Sequence, residues 1–405
     1  MSIRYIPLTF DNANIDTSAR ELVLALAPEW VESEGPIELK RFTDGITNTL
    51  TKATKKRPGQ TQSEADQEAV LLRAFGKGTD VLINRQRELQ AHTLLASRGM
   101  APPLLARFDN GLMYRYTEGD VCSCEDLRRP EVFHSVAERL GQWHGSLPIS
   151  SLLSKNLNIN FPLAKDGREP SPKPNMWWVT QQWIEALPTT TEKERSRVET
   201  LRNELEWLVE HLSSSTGLDG KDYVFCHCDL LCGNVIIQRP NASNEAPPSE
   251  PNNHNRYPVT FIDYEYAAPA PAAFDIANHF AEWAGYECEH TGVPSKSQRR
   301  GFLKSYVAAY RSHQIPEDHS GVVEVDPVHD VEHLYQQVDL FRGVPGFYWG
   351  IWALIQATIS QIDFDYASYA EVRLGEYWGW KGELDGSRER EGREMTVRER
   401  RWAEE

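Results

Sequence analysis

A chain of 405 residues, 40% of them hydrophobic, can build two or three packed units and is too large to be a peptide-like module. Its 43 Lys and Arg against 59 Asp and Glu leave a formal charge of −16, which argues against a nucleic-acid or anionic-membrane partner and suits a cationic small substrate. No stretch approaches the roughly 20 consecutive apolar residues of a membrane span, the opening MSIRYIPLTFDNAN lacks a secretory apolar run, and the few cysteines do not spread as a disulfide framework, so a cytoplasmic chain with reduced thiols and no membrane insertion is expected.

From Pro36 to about Thr117 the pattern is β-rich. IELKRFTD, NTLTKAT and EAVLLRAFG read as strands, an amphipathic helix follows from Asn84 through Leu95, and LLARF and LMYRYT return to strand. Asn84 is a good N-cap, and Gly99 with Pro102 and Pro103 closes the helix. After Gly119 the pattern turns helical over Val132–Ser146, Glu192–Leu212, Ser297–Ser312 and Val331–Phe341, interrupted by short apolar runs DYVFCH, NVIIQ and YPVTFIDYE with polar ends. This predicts an α+β chain with a small lobe over 1–118, a larger lobe over 119–382 and a charged tail over 383–405, exposed as a helix or disordered. Residues 55–67 and 239–255 carry too few apolar groups to bury and read as mobile, solvated insertions.

The strongest chemical signal is CHCDLLCGNVII, in which His227, Asp229 and Asn234 keep the H-x-D-x-x-x-x-N spacing of a phosphotransferase catalytic loop between two strands. Phosphoryl transfer needs a carboxylate to take the acceptor's proton and an oxygen ligand for Mg²⁺ at fixed separation. Asp229 is read as the base, Asn234 as a metal ligand and His227 as a residue that orients the loop. Asp263, ending the apolar run of VTFIDYEYA, is the second metal-binding carboxylate. Upstream, Asp44-Gly45-Ile46-Thr47-Asn48 joins two strands as a phosphate-approaching turn or an ordinary hairpin, with Gly45, Thr47 and Asn48 as nucleotide contacts. Arg73 on a strand and Glu88 on the next helix stand where an ion pair orients nucleotide phosphates, the alternative being a surface salt bridge of little worth.

Cys226, His227, Cys228 and Cys232 also invite a zinc reading, disfavoured because adjacent strand residues point to opposite faces and no second ligand pair lies nearby. The region GFYWGIWALIQATISQIDFDYASYAEVRLGEY is dense in rings, and Trp349 and Trp352 share a helical face. Such rings either pack a core or wall an organic ammonium.

The segments FTDGITNTL, VLLRAFG, FCHCDLLCGNV, FIDYEYA, FDIANHFAEW, WGIWALIQA and IDFDYASYAEVR resemble the choline/ethanolamine kinase family over residues 38 to 380. The resemblance implies a two-lobed protein-kinase-like fold, a nucleotide-binding first lobe, ATP as co-substrate, Mg²⁺ as cofactor and phosphorylation of an amino alcohol on the route to phospholipids. It also implies an amine pocket in which Glu282 supplies charge and Tyr266, Trp349, Trp352 and Tyr369 supply walls. DNGLMYRYTEG, CHCDLLCGN, FIDYEY and IDFDY are more similar to ethanolamine kinases, with Asp365 where choline kinases tend to have glycine; a primary ammonium seeks such carboxylate acceptors. Cys228 departs from the family's usual asparagine, which predicts a lost hydrogen bond and a reduced rate. The competing readings are a choline or dual-specificity kinase, an aminoglycoside-type phosphotransferase, and a catalytically silent binding protein. A protein kinase is disfavoured because D-F-G followed by A-P-E is missing. A homodimer is compatible with the reading.

Overall fold

The computed structural model describes residues 3–42, 48–76, 78–151, 174–213, 215–238, 256–314 and 326–405. The chain divides into two compact units, Met1–Asp120 and Val121–Glu405. Gly45, Thr47 and the segment 239–255 lie outside the described residues.

The N-terminal unit is built on a six-stranded sheet of order β1-β5-β6-β4-β3-β2. Its strands are β1 (Arg4–Ile6), β2 (Ile37–Phe42), β3 (Asn48–Lys55), β4 (Val70–Phe75), β5 (Leu104–Phe108) and β6 (Gly111–Arg115). All pairs are antiparallel except β1 with β5. Helix α1 (Ile15–Leu26), followed by the single turn α2 (Glu29–Glu32), packs Leu22, Val23 and Trp30 into one core with Val70, Leu72 and Met113. Strand β1 and helix α1 escape the sequence reading, which begins at Pro36; three residues are too few to show a period of two.

The expected insertion at 55–67 is corrected. Lys55 ends β3 with its ammonium donating to Trp30 O at 2.8 Å and Gly35 O at 2.6 Å. Thr61 and Glu64 form a capping box that starts α3 (Gln62–Glu68), and Lys52 pairs with Asp66 at 2.7 Å. The low apolar content conceals a T-x-x-E helix start, a local signal that composition alone overlooks. Helix α4 (Arg85–Ser97) is capped as expected, Asn84 Oδ1 accepting the Arg87 N–H at 3.0 Å.

In the C-terminal unit, which follows β7 (Asp120–Val121), helices are α5 (Cys124–Leu127), α6 (Pro130–Ser146), α7 (Met176–Glu185), α8 (Glu192–Leu212), α9 (Ala272–Ala281), α10 (Lys296–Ser312), α11 (Pro327–Phe341), α12 (Val344–Ile359) and α13 (Tyr366–Leu384). Two antiparallel pairs sit among them: β9 (Val235–Ile237) with β10 (Val259–Phe261), and β8 (Val224–Cys226) with β11 (Ala268–Ala270). Helix α6 lies so close to α10 that a Cβ on Gly141 would collide with the Tyr306 carbonyl. The tail is corrected as well. Residues 387–403 form α14 (Ser387–Arg390) and α15 (Val397–Ala403), burying Arg398, Glu399 and Trp402. The Arg299 guanidinium lies 3.9 Å from the Trp402 ring centre, and Arg342 pairs with Glu399 at 2.8 Å. The charges that suggested a solvated tail are thus spent on partners distant in sequence.

Candidate active site

The loop between β8 and β9 carries His227, Asp229 and Asn234, and its backbone is fixed from below by α9. The Asp275 carboxylate accepts the N–H groups of His227 at 2.9 Å and Cys228 at 2.8 Å, one on each oxygen. Asn278, one helical turn on, donates to Cys228 O at 3.0 Å, and His279 Nδ1 lies 2.8 Å from Leu230 O. Asp275 is held by the His144 ring at 3.0 Å; burial alone would raise its carboxyl, but His144 and His227 outweigh burial and keep it below its ordinary range.

Cys228 adopts a left-handed backbone, φ 61°, which a non-glycine residue holds only when its surroundings dictate it. Here two amide bonds to Asp275 and one carbonyl bond to Asn278 do so. The pinning runs through the backbone. Its buried side chain lies 3.9 Å from Ala268 O and also meets Cys226.

His227 is fully buried and bonded at both ring nitrogens within and beside the loop. Its Nδ1 accepts the Asp229 N–H at 3.3 Å and its Nε2 donates to Ile262 O at 3.0 Å, an assignment that requires the neutral ring. Burial pushes its pKa down to about 4, in keeping. With both ring nitrogens engaged and Cys232 turned to Cys124, the four residues of the zinc reading do not converge.

Asn234 closes the loop by donating to Asp229 O at 2.8 Å and Asp229 Oδ2 at 3.1 Å. The Asp229 carboxyl is raised well above its ordinary range, first by burial and then by the negative charges of Asp263, Glu282 and Glu265. Asp263, two residues past the end of β10, has φ 66°, another non-glycine residue in the left-handed region, and its charge acts on Asp229. Burial and the charges of these neighbours together disfavour the charged form of Asp229.

The rings converge on that cluster. Trp352 Nε1 donates to Tyr266 OH at 2.8 Å, Trp349 Nε1 donates to Asn278 Oδ1 at 2.7 Å, and Tyr266 meets Trp349 edge-on at 5.5 Å between centres. Burial and the charges of Glu265 and Asp229 drive the Tyr266 phenol well up. Tyr369 lies 6.4 Å, between ring centres, from the exposed Tyr286. Glu282 is paired with the buried Arg373 at 3.1 Å, and Arg373 is shared with Glu376 at 3.3 Å. Even so, burial, offset in part by Arg373, leaves the Glu282 carboxyl raised.

Asp365 is the exposed N-cap of α13, its carboxylate accepting the Ser368 N–H at 3.0 Å. Asp275, Asn278, His144 and Tyr286 are the residues that reading by motif missed. The i, i+3 placement of Asp275 and Asn278 within FDIANHFAEW is the signal that could have found the first two.

In the N-terminal unit, Arg73 and Glu88 do pair, at 3.4 Å, and both are buried, so the surface-bridge alternative fails. Arg85 adds a second guanidinium 3.0 Å from Glu88 and reaches Asn48 Oδ1 at 3.5 Å.

The model of choline/ethanolamine kinase matches residues 39–378. The chain belongs to this family. Among family members, it is 33% identical over 383 residues to ethanolamine kinase 2 of Rattus norvegicus, covering 93% of this chain and 84% of that one. It is 31% identical to a probable ethanolamine kinase of Nematostella vectensis, covering 93% and 97%. Among solved structures, a Plasmodium vivax ethanolamine kinase aligns with a TM-score of 0.65 at 23% identity over 91% of this chain and 89% of that one. A choline kinase from Cryptosporidium parvum aligns at 0.60 and 19% identity, over 90% and 97%. These two likenesses establish the protein-kinase-like fold. No helix among the described residues is long and apolar enough to cross a membrane.

Proposed function

We propose that this choline/ethanolamine kinase family member transfers the γ-phosphoryl group of ATP to the hydroxyl of ethanolamine, giving phosphoethanolamine for phospholipid synthesis. One observation carries the reading: the carboxylates of Asp263, Glu265 and Glu282, the last two buried, act on Asp229, which is raised by their charge as well as by burial, beside a cluster of rings. Such a site is completed by cations. An organic ammonium and Mg²⁺ both answer that need.

Asp229 serves as the base. Its raised proton affinity favours taking the hydroxyl proton as the substrate oxygen bonds to the γ-phosphorus and the bond to ADP breaks. Asn234 and Asp263 fit Mg²⁺ as oxygen donors next to an under-compensated carboxylate, and when bound it would neutralise phosphate charge. Glu282 attracts the ammonium while Tyr266, Trp349, Trp352 and Tyr369 wall it, each ring contact contributing about 0.5–2 kcal/mol. We assign Arg73, oriented by Glu88, and Asn48 to the nucleotide phosphates, on the buried pairing of Arg73 with Glu88 and the contact of Arg85 with Asn48.

The test is magnesium-dependent ADP release with ethanolamine, choline or neither, each amine varied. Preference for ethanolamine is expected; equal use would recast the pocket as a general ammonium site, and no amine stimulation would refute the assignment.

A further inference from the structure

The catalytic turn holds a second reactive group that phosphotransfer does not use. Cys232 opens the short helical turn Cys232–Asn234, and its Sγ lies 3.4 Å from Sγ of Cys124 in α5, 108 residues away in sequence. Of the six cysteines, these two are half-buried while the other four are buried, so reagent reaches this pair first. The two segments are already fastened together: the Cys122 N–H donates to Val235 O at 2.9 Å, immediately after Asn234. The sulfur atoms therefore face each other across a short backbone bridge.

We propose that Cys124 and Cys232 are a modification site for hydroperoxides, closing to a reversible disulfide that switches off phosphotransfer by displacing the turn that carries Asn234. The second clause rests on the kinase reading above. The positive charge of Arg128 acts on Cys124 and favours its thiolate as the attacking group. It attacks the peroxide oxygen, the O–O bond breaks, and a sulfenic acid forms with release of water or an alcohol. Cys232 then attacks the Cys124 sulfur, the S–O bond breaks, and a second water leaves. Overall the two thiols lose two hydrogens to the peroxide. Thiol reductants reverse the change.

Closing the sulfur separation from 3.4 Å to roughly 2.05 Å takes about 1.3 Å out of the span between the two segments. Cys232 is in the same turn as Asn234, whose amide spans the Asp229 carbonyl and carboxylate. A shift of that size moves the amide off Asp229.

The experiment treats the full-length chain with hydrogen peroxide, blocks free thiols, digests without reduction, and measures turnover in parallel. A linked peptide containing Cys124 and Cys232 is expected. Turnover should fall about 100-fold, the scale of a misplacement of about 1 Å in a reacting group, and return with dithiothreitol. Cys124→Ser should give no linked peptide and resist the oxidant. Failure to find the linked peptide, a linked chain with undiminished turnover, or equal inactivation of Cys124→Ser would overturn the proposal. An untreated chain without amine-dependent turnover would instead refute the kinase reading, and the linked peptide would still decide the pairing.

Discussion

Glu88 in the N-terminal unit and Asp229 in the C-terminal unit are both buried carboxylates, and the protein treats them differently. Around Glu88 stand two guanidinium groups, Arg73 at 3.4 Å and Arg85 at 3.0 Å. Around Asp229 stand Asp263, Glu265 and Glu282, with the Asn234 amide as the polar contact that favours its charge. The first carboxylate is compensated from within the chain, whereas the second has its charge disfavoured and left to be balanced from outside. Burial alone does not mark a reactive carboxylate; burial among like charges does.

The sharpest way to break this comparison is to neutralise each carboxylate in turn. Asp229→Asn should lower kcat by about 10³-fold, the span of a lost general base. Because the folded protein disfavours that charge, the same change should hold or raise the thermal midpoint in magnesium-free buffer; a fall of several degrees would contradict the account. Glu88→Gln should do the reverse, stranding buried guanidinium charge and lowering unfolding stability by about 3 kcal/mol in denaturant titrations.

Acid gives an effect that spans both units. His92, His227 and His279 are each pushed down by burial to about 4, from an ordinary value near 6.5. A histidine lowered on folding contributes stability that is present above its unfolded value and lost as pH falls through its folded value. Stability should therefore drop between pH 6.5 and 4, each ring adding a slope approaching about 1.4 kcal/mol per pH unit. Unfolding free energies measured across that window check it; a flat profile would mean that water reaches the rings. The smallest effect belongs to Asp365→Asn. Asparagine caps a helix as well as aspartate, so stability and the ethanolamine-to-choline ratio should stay within about twofold. A changed ratio would show that this surface carboxylate reaches the amine after all.

Much of the loop chemistry was legible because its signals are local. The H-x-D-x-x-x-x-N spacing places Asp229 and Asn234 together, and Asn234 does bond Asp229. Asn84 caps α4, and helix α8 spans the expected Glu192–Leu212. Composition misled at residues 55–67, where the Thr61–Glu64 capping box is a stronger statement than the lack of apolar groups. It misled again at the C-terminus, where Arg398 and Glu399 are buried by pairing rather than by hydrophobicity.

By itself the sequence determined the identity and spacing of the loop's polar residues, the helix caps and the alternation of the strands, because each acts over a few residues along one backbone. Only tertiary structure decided which of those groups hold charge and in what surroundings. Asp275 pins His227 from 48 positions away, Arg373 meets Glu282 through α13, and Cys124 meets Cys232 from another part of the same unit. Those partnerships depend on burial and on distances through space, and neither is written in the order of residues.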